Sequence, residues 1–241
     1  MKHESMISAI REAAERGRLH SFPLAVLTQK RLRSQDTSGN SIFHTASAYG
    51  HFNQLPKNLL TLENMLLTNN SGDTVLHIVS MEEESIKHVP KEILTEQALM
   101  TKNNSGSTVF HEIAFNGLLN LIPEELLHTN SWTNEVDMFK TDGCGNNVLH
   151  LAAQHAQLDK LPKRALNEKF LMRKDAYGET AFYHAMENNS LDQLLGIEFS
   201  TKVQKIVGDT WFQKNAEFCK HNQKALNSLL ENTTTNDIDL F

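Results

Sequence analysis

Polar turns and short apolar clusters alternate along this chain in a fixed layout. The copies read DTSGNSIFHTA from Asp36, NNSGDTVLHIV from Asn69, NNSGSTVFHEI from Asn103, DGCGNNVLHLA from Asp142 and DAYGETAFYHA from Asp175. Each D/N-x-x-G stretch predicts a tight turn, because Asp or Asn can bond the backbone two residues on and glycine takes a positive φ cheaply. Ser41, Thr74, Thr108 and Thr180 stand two residues after the glycine, where they would cap the next helix. That helix should run for about eight residues with its apolar positions on one face, such as Ile42, Phe43 and Ala46, or Val148, Leu149 and Ala152. Gly17, Gly50 and Gly117 are placed to end it.

The turn glycines Gly39, Gly72, Gly106, Gly145 and Gly178 are 33, 34, 39 and 33 residues apart. A histidine follows each of the first four by five residues, at His44, His77, His111 and His150. Tyr183 holds the histidine slot of the last copy, and Arg11 holds it in a degenerate first copy at residues 7–34. All 5 prolines, Pro23, Pro56, Pro90, Pro123 and Pro162, share one slot of the period. A proline inside a helix costs about 3 kcal/mol. Five such costs would rival the stability of a whole domain, about 5–15 kcal/mol. The prolines are therefore expected in the first turn of a second short helix, where the missing N–H costs nothing. Thr28, Thr61 and Thr95 then precede a third, capped helical turn that leads to the next copy. A period near 33 residues with this punctuation predicts a stacked all-α array of about six copies over residues 1–195.

The segments GDTVLHIV, GSTVFHEIA, GNNVLHLAAQHAQLDKLP and GETAFYHAMENNSLDQL resemble the G-x-T-P-L-H-x-A-A signature of ankyrin repeats, in register over about residues 7–195. The resemblance implies antiparallel helix pairs stacked into a curved solenoid, with protein–protein binding as the usual activity. Three features depart from it. Ile42, Val75, Val109, Val148 and Ala181 stand where the family has its proline, a proline interrupts the second helix as L-P-x-x-L, and the connector that often forms a β-finger reads as helical.

In the family, the fourth and fifth residues after the histidine face the concave side, as do the turn residues. Carried onto this sequence, the helix positions are Ala48 and Tyr49, Met81 and Glu82, Phe115 and Asn116, Gln154 and His155, Glu187 and Asn188. The turns add residues such as Asn70, Asn104, Cys144 and Tyr177. Tyr49, Met81, Phe115 and Tyr177 would make an exposed apolar stripe, which reads either as a binding face or as packing on neighbouring copies. The protein-binding candidates are Tyr49, Met81, Glu82, Phe115, Asn116, Gln154, His155, Tyr177 and Glu187, together with Trp132. Trp132 lies in HTNSWTNEVDMFKTDGCG, the insertion that lengthens one spacing to 39, and would be a partner anchor or a plug over the adjacent groove.

Composition narrows the function classes. A net charge of −6 argues against a phosphate-binding surface and so against nucleic acid. No apolar stretch approaches the ~20 residues that span a bilayer, and the charged N-terminal helix lacks the apolar core of a signal peptide. Cys144 and Cys219 make neither a disulfide framework nor a zinc motif, which suggests the cytoplasm, or delivery into a host cell. A histidine present once per copy reads as a structural hydrogen-bonding residue. His150 and His155 are five apart and so diverge on a helix instead of sharing a metal-binding face. Cys144 with His150 lacks the third group that an activated nucleophile needs. No cofactor, metal or catalytic residue is expected.

Residues 196–232 break the period but keep helical apolar spacing, through Phe199, Val203, Ile206, Trp211 and Phe212 to Leu226, Leu229 and Leu230. They read as a helical cap over the end of the array, or as helices that dock into a partner; residues 233–241 read as a flexible tail. The expectation is an all-α ankyrin-type helical repeat solenoid with a C-terminal helical cap. It would act as a monomeric, non-catalytic module that binds a protein partner. The alternatives are a self-assembling scaffold, or an effector-like protein with an activity in the C-terminal region.

Overall fold

The computed structural model describes residues 2–127, 141–194 and 197. Among them every named element is a helix, and three isolated antiparallel bridges, Thr68 with Thr74, Lys102 with Thr108 and Lys174 with Thr180, stand in place of strands. The fold class is all-α. The chain divides into two compact units, Met1–Leu126 and Leu127–Phe241, and the division falls beside the lengthened spacing. The expected cap at 196–232, the tail and Trp132 lie outside the described residues, apart from Ile197.

The capped helices are Ile42–Ala48, Val75–Val79 and Val109–Phe115 in the first unit, and Val148–Gln154 and Ala181–Glu187 in the second. They are slightly shorter than the spacing predicts. Their N-caps are Ser41, Thr74, Thr108, Asn147 and Thr180, and each side chain accepts a backbone N–H from the first turn. Each helix buries the same face: Ile42, Phe43 and Ala46 in one copy, Val75, Leu76 and Val79 in the next, Val109, Phe110 and Ile113 in the third. At about 1.5–3 kcal/mol for each large apolar side chain removed from water, these stripes are the main drive for packing helix on helix. In the first unit Lys2–Glu15 packs on Ile42–Ala48, and Ile42–Ala48 on Val75–Val79; in the second, Val148–Gln154 packs on Ala181–Glu187.

Histidine ties one copy to the next. The backbone N–H of Ser41 donates to His44 Nδ1 at 3.1 Å, so Nδ1 is the acceptor and the proton sits on Nε2, which donates to the carbonyl of Asp73 at 3.1 Å. His77 repeats this between Thr74 N and the carbonyl of Ser107. Arg11 does the equivalent work in the degenerate first copy, donating to the carbonyl of Asn40 at 3.0 Å and to that of Ser34 at 2.7 Å. His44 and His77 are 1% and 0% exposed, and burial pushes the pKa of each below the ordinary imidazole value.

The turns also join directly. Asn70 donates its backbone N–H to the carbonyl of Ser38 and its side-chain amide to that of Thr37. Asn104 does the same to Ser71 and Asn70. Asn69 Nδ2 donates to Asn40 Oδ1 at 3.0 Å, and Asn103 Nδ2 to Asp73 Oδ1 at 2.8 Å. Gly72 shows why glycine is needed here: its φ is +76, and a Cβ would lie 2.8 Å from the backbone nitrogen of Asn104.

The prolines sit one place earlier than expected. Pro56, Pro90 and Pro162 have ψ of 122, 132 and 135, so they are N-caps of three-residue 3-10 turns and not the first residues of α-helices. The next leucine stops each turn: Leu60, Leu94 and Leu166 leave helical geometry at ψ of 74, 65 and 66 and bury their side chains. Only Pro123 precedes an α-helical turn, Glu124–Leu127. A further short turn, unforeseen in the sequence, comes before the proline, as at Phe52–Gln54 and Leu158–Lys160. Two glutamines lock it: Gln54 bonds Leu19 N and Gly17 O, and Gln193 bonds Leu158 N and Ala156 O.

Candidate functional site

Large hydrophobic side chains on a protein surface stand out when they share a structural position. Among the described residues those exposed are Leu24 at 75%, Tyr49 at 57%, Met81 at 51%, Phe115 at 54% and Tyr177 at 76%. Four of the five are the residues singled out from the sequence. Tyr49, Met81 and Phe115 all stand at the C-terminal end of a capped helix of the first unit: Tyr49 is the C-cap, Met81 follows the C-cap Ser80, and Phe115 is the last helical residue. The next turns leave the helix by glycine at Gly50 and Gly117, with φ of 72 and 67. Tyr177 lies in the turn that opens at Asp175, in the second unit.

The polar candidates divide. Glu82 is exposed and accepts from Ser85 Oγ, and Asn116 is half-buried with its amide on the carbonyl of Glu112 at 2.8 Å. His155 is exposed, whereas Gln154 is half-buried with Nε2 3.4 Å from His184 Nε2. Glu187 is exposed and accepts from the Tyr183 hydroxyl at 2.6 Å, which pushes the phenol up to about 12. Asn70 and Asn104, also assigned to the exposed face by their turn position, commit their amides to the preceding turn. A groove of about 440 Å³ on the first unit, lined by Phe52, Leu55, Lys57, His88, Pro90 and Lys91 among others, has no counterpart in the sequence reading.

The Cys144–His150 pair has no free base. His150 Nδ1 accepts the N–H of Asn147 at 3.2 Å and Nε2 donates to the carbonyl of Arg173 at 2.9 Å, so both nitrogens are taken. Its pKa is lowered by burial. Cys144 is an exposed free thiol.

One cluster escaped the sequence reading. Asp175, Glu179 and His184 bring one ligand atom each within 4.8 Å of one another. His184 Nε2 is 3.8 Å from Asp175 Oδ2 and 3.7 Å from Glu179 Oε2, with the His184 and Asp175 side chains 7% and 2% exposed. The sequence did carry a signal: the last copy has Tyr183 in the histidine slot and a histidine one place later.

No protein-family model matches this sequence, and no curated protein matches it. Among solved structures, a chain is similar in fold to one from the structure described as the Bd0816 predatory endopeptidase from Bdellovibrio bacteriovorus in complex with immunity protein Bd3460. The TM-score is 0.52 at 22% identity, over 77% of this chain and 94% of the other. A likeness at that identity shows the fold alone. Among the described residues no helix is long and apolar enough to cross a membrane.

Proposed function

We propose that the chain is a non-catalytic protein-binding module of the ankyrin-type solenoid class, acting as a monomer, with Tyr49, Met81 and Phe115 as the anchors of its docking face. The observation that carries this reading is the recurrence of an exposed large apolar side chain at the same helix end in three successive copies. Exposed aromatic and methionine side chains on a rigid scaffold suit a protein interface. The period of the sequence and the histidine bonds between copies support the solenoid class. The solved complex with a similar fold is itself an assembly of two proteins, an endopeptidase and an immunity protein, which supports a protein partner.

The test is a pull-down from native lysate read by mass spectrometry, with wild type beside a Tyr49→Glu, Met81→Glu, Phe115→Glu variant. These side chains are exposed, so circular dichroism should show the variant folded, with stability changed by about 0.5 kcal/mol or less per site. A protein held by wild type and released by the variant supports the reading. Equal retention by both removes the docking face from these three residues.

A further inference from the structure

Two turns of the first unit open with an asparagine whose amide is a donor, Asn69 to Asn40 Oδ1 and Asn103 to Asp73 Oδ1, while the turn that opens at Asp36 sets its Oδ2 3.5 Å from the Arg11 guanidinium. The turn of the last described copy opens with Asp175, which has no such hydrogen to give. The residue in the matching acceptor position is Asn146, and its Oδ1 is buried without a partner. The Asp175 carboxylate is nonetheless held firmly. Oδ1 accepts from the backbone N–H of Tyr177 at 2.8 Å and of Glu179 at 2.9 Å, which turns Oδ2 inward toward His184. Oδ2 takes no hydrogen bond from the described residues. An acidic oxygen on a side chain 2% exposed is stabilised by a cation, as Arg11 supplies for Asp36 in the first unit.

We propose that Asp175, Glu179 and His184 form a binding site for one divalent first-row transition metal ion, of which zinc and manganese(II) are the representative probes. The distances favour an ion over a direct pair. At 3.7 and 3.8 Å the two carboxylate contacts to His184 Nε2 are well beyond a charge-assisted hydrogen bond of about 2.7–2.9 Å. Two ligands that share one ion through bonds of about 2.0–2.2 Å stand about 3.3–3.8 Å apart at tetrahedral to trigonal angles. One imidazole and two carboxylates suit such ions, and the two negative charges balance the ion's own. Gln154 lies against the open side with its amide 3.4 Å from His184 Nε2, and a half-turn of that amide would offer an oxygen as a fourth ligand. Glu179, 42% exposed, gives the route from solvent. The ion would tie the turn to helix Ala181–Glu187, in place of the bond that Asn69 and Asn103 make in their copies.

The full chain, stripped with a chelator, is titrated calorimetrically with zinc chloride and separately with manganese chloride, and Tm is followed in parallel. The expected result is saturation at one ion per chain for at least one metal, with Tm raised by about 5–10 °C at a hundredfold excess over Kd. Asp175→Asn separates this site from surface histidines and Cys144, which it leaves intact. It removes a ligand and restores the donor that Asn69 and Asn103 use, so it should fold with a metal-free Tm at or above that of wild type and lose the metal response. Glu179→Gln, on a half-exposed side chain, repeats the test if the first variant fails to fold. Equal binding by wild type and variant, or no saturable uptake by wild type up to about 1 mM of either metal, overturns the site.

Discussion

The two units are built from the same copies but differ at the positions that join them. In the first, hydroxyl caps at Ser41, Thr74 and Thr108 receive the helix and meet the histidine, and the turn amides of Asn69 and Asn103 each find an acceptor. In the second, Asn147 takes the place of one hydroxyl cap, Asp142 and Asp175 open the turns as Asp36 does in the first, and Tyr183 holds one of the two histidine slots. Among the described residues the two buried side-chain atoms without a hydrogen bond, Asn146 Oδ1 and Asn147 Nδ2, both belong to the second unit. The helix ends differ as well: exposed apolar Tyr49, Met81 and Phe115 in the first unit, and in the second exposed polar His155 and Glu187 with half-buried Gln154. Where the joining bonds are complete, the variable positions are apolar anchors on the surface. In the second unit the turn amide is missing at Asp175, the residue that stands with Glu179 and His184.

Acid should separate the units most strongly. Burial depresses the folded pKa of His44 and His77 in the first unit and of His150 in the second below the unfolded value near 6.5. The stability they contribute is complete above pH 6.5 and is lost as pH falls through their folded values, at no more than about 1.4 kcal/mol per pH unit for each. With two such histidines among the described groups of the first unit against one in the second, the first unit should melt at the higher pH. Both tryptophans, Trp132 and Trp211, lie in the sequence of the second unit. On acid titration the circular dichroism should therefore fall before the tryptophan emission shifts, and coincident transitions would remove the distinction.

Turn glycines give a smaller contrast. Gly72→Ala forces a left-handed residue and a Cβ 2.8 Å from the backbone nitrogen of Asn104, whereas a Cβ on Gly178 meets nothing within 4 Å. The backbone strain alone costs about 1–2 kcal/mol. Overpacking at Gly72 should add about 1–3 kcal/mol. Urea unfolding of both variants measures the difference, and equal losses would mean that the close approach carries no energy. The smallest change expected is a gain. Asn147→Thr supplies the hydroxyl that Thr74 and Thr108 use and removes the buried Nδ2, so the urea midpoint should rise by the equivalent of about 1 kcal/mol.

Local features were the legible ones. The caps, turn glycines, helix-ending Gly50 and Gly117 and the exposure of Tyr49, Met81, Phe115 and Tyr177 all follow from a few neighbouring residues. The structural use of histidine followed from its recurrence, and the equivalence of Arg11 from its register. The prolines were misplaced by one residue because an N-cap and a first helical residue make the same demand on a missing N–H; the burial of Leu60, Leu94 and Leu166 decides between them. The acidic cluster was missed because its three residues come together across the turn and the helix that follows it, and not through any ligand spacing along one helix.

The bonds between turns make the copies of the first unit interchangeable parts. Asn69 reaches back 29 residues and Asn103 reaches back 30 to a side-chain oxygen, and Asn70 reaches back 33 and Asn104 reaches back 34 to a backbone carbonyl. A stretch beginning at Asn69 and ending before Asn103 thus carries on its leading edge the donors that its trailing edge would accept. Tandem duplication of that stretch of gene would lengthen the protein with every new joint already supplied with its partners. Asp175 fits this scheme only in part: the copy it opens keeps the backbone bond, from the Ala176 N–H to the carbonyl of Cys144, but has no side-chain amide to give to Asn146 Oδ1. Growth by duplication of that stretch leaves every joint complete, whereas a joint opened by Asp175 would lack its side-chain bond.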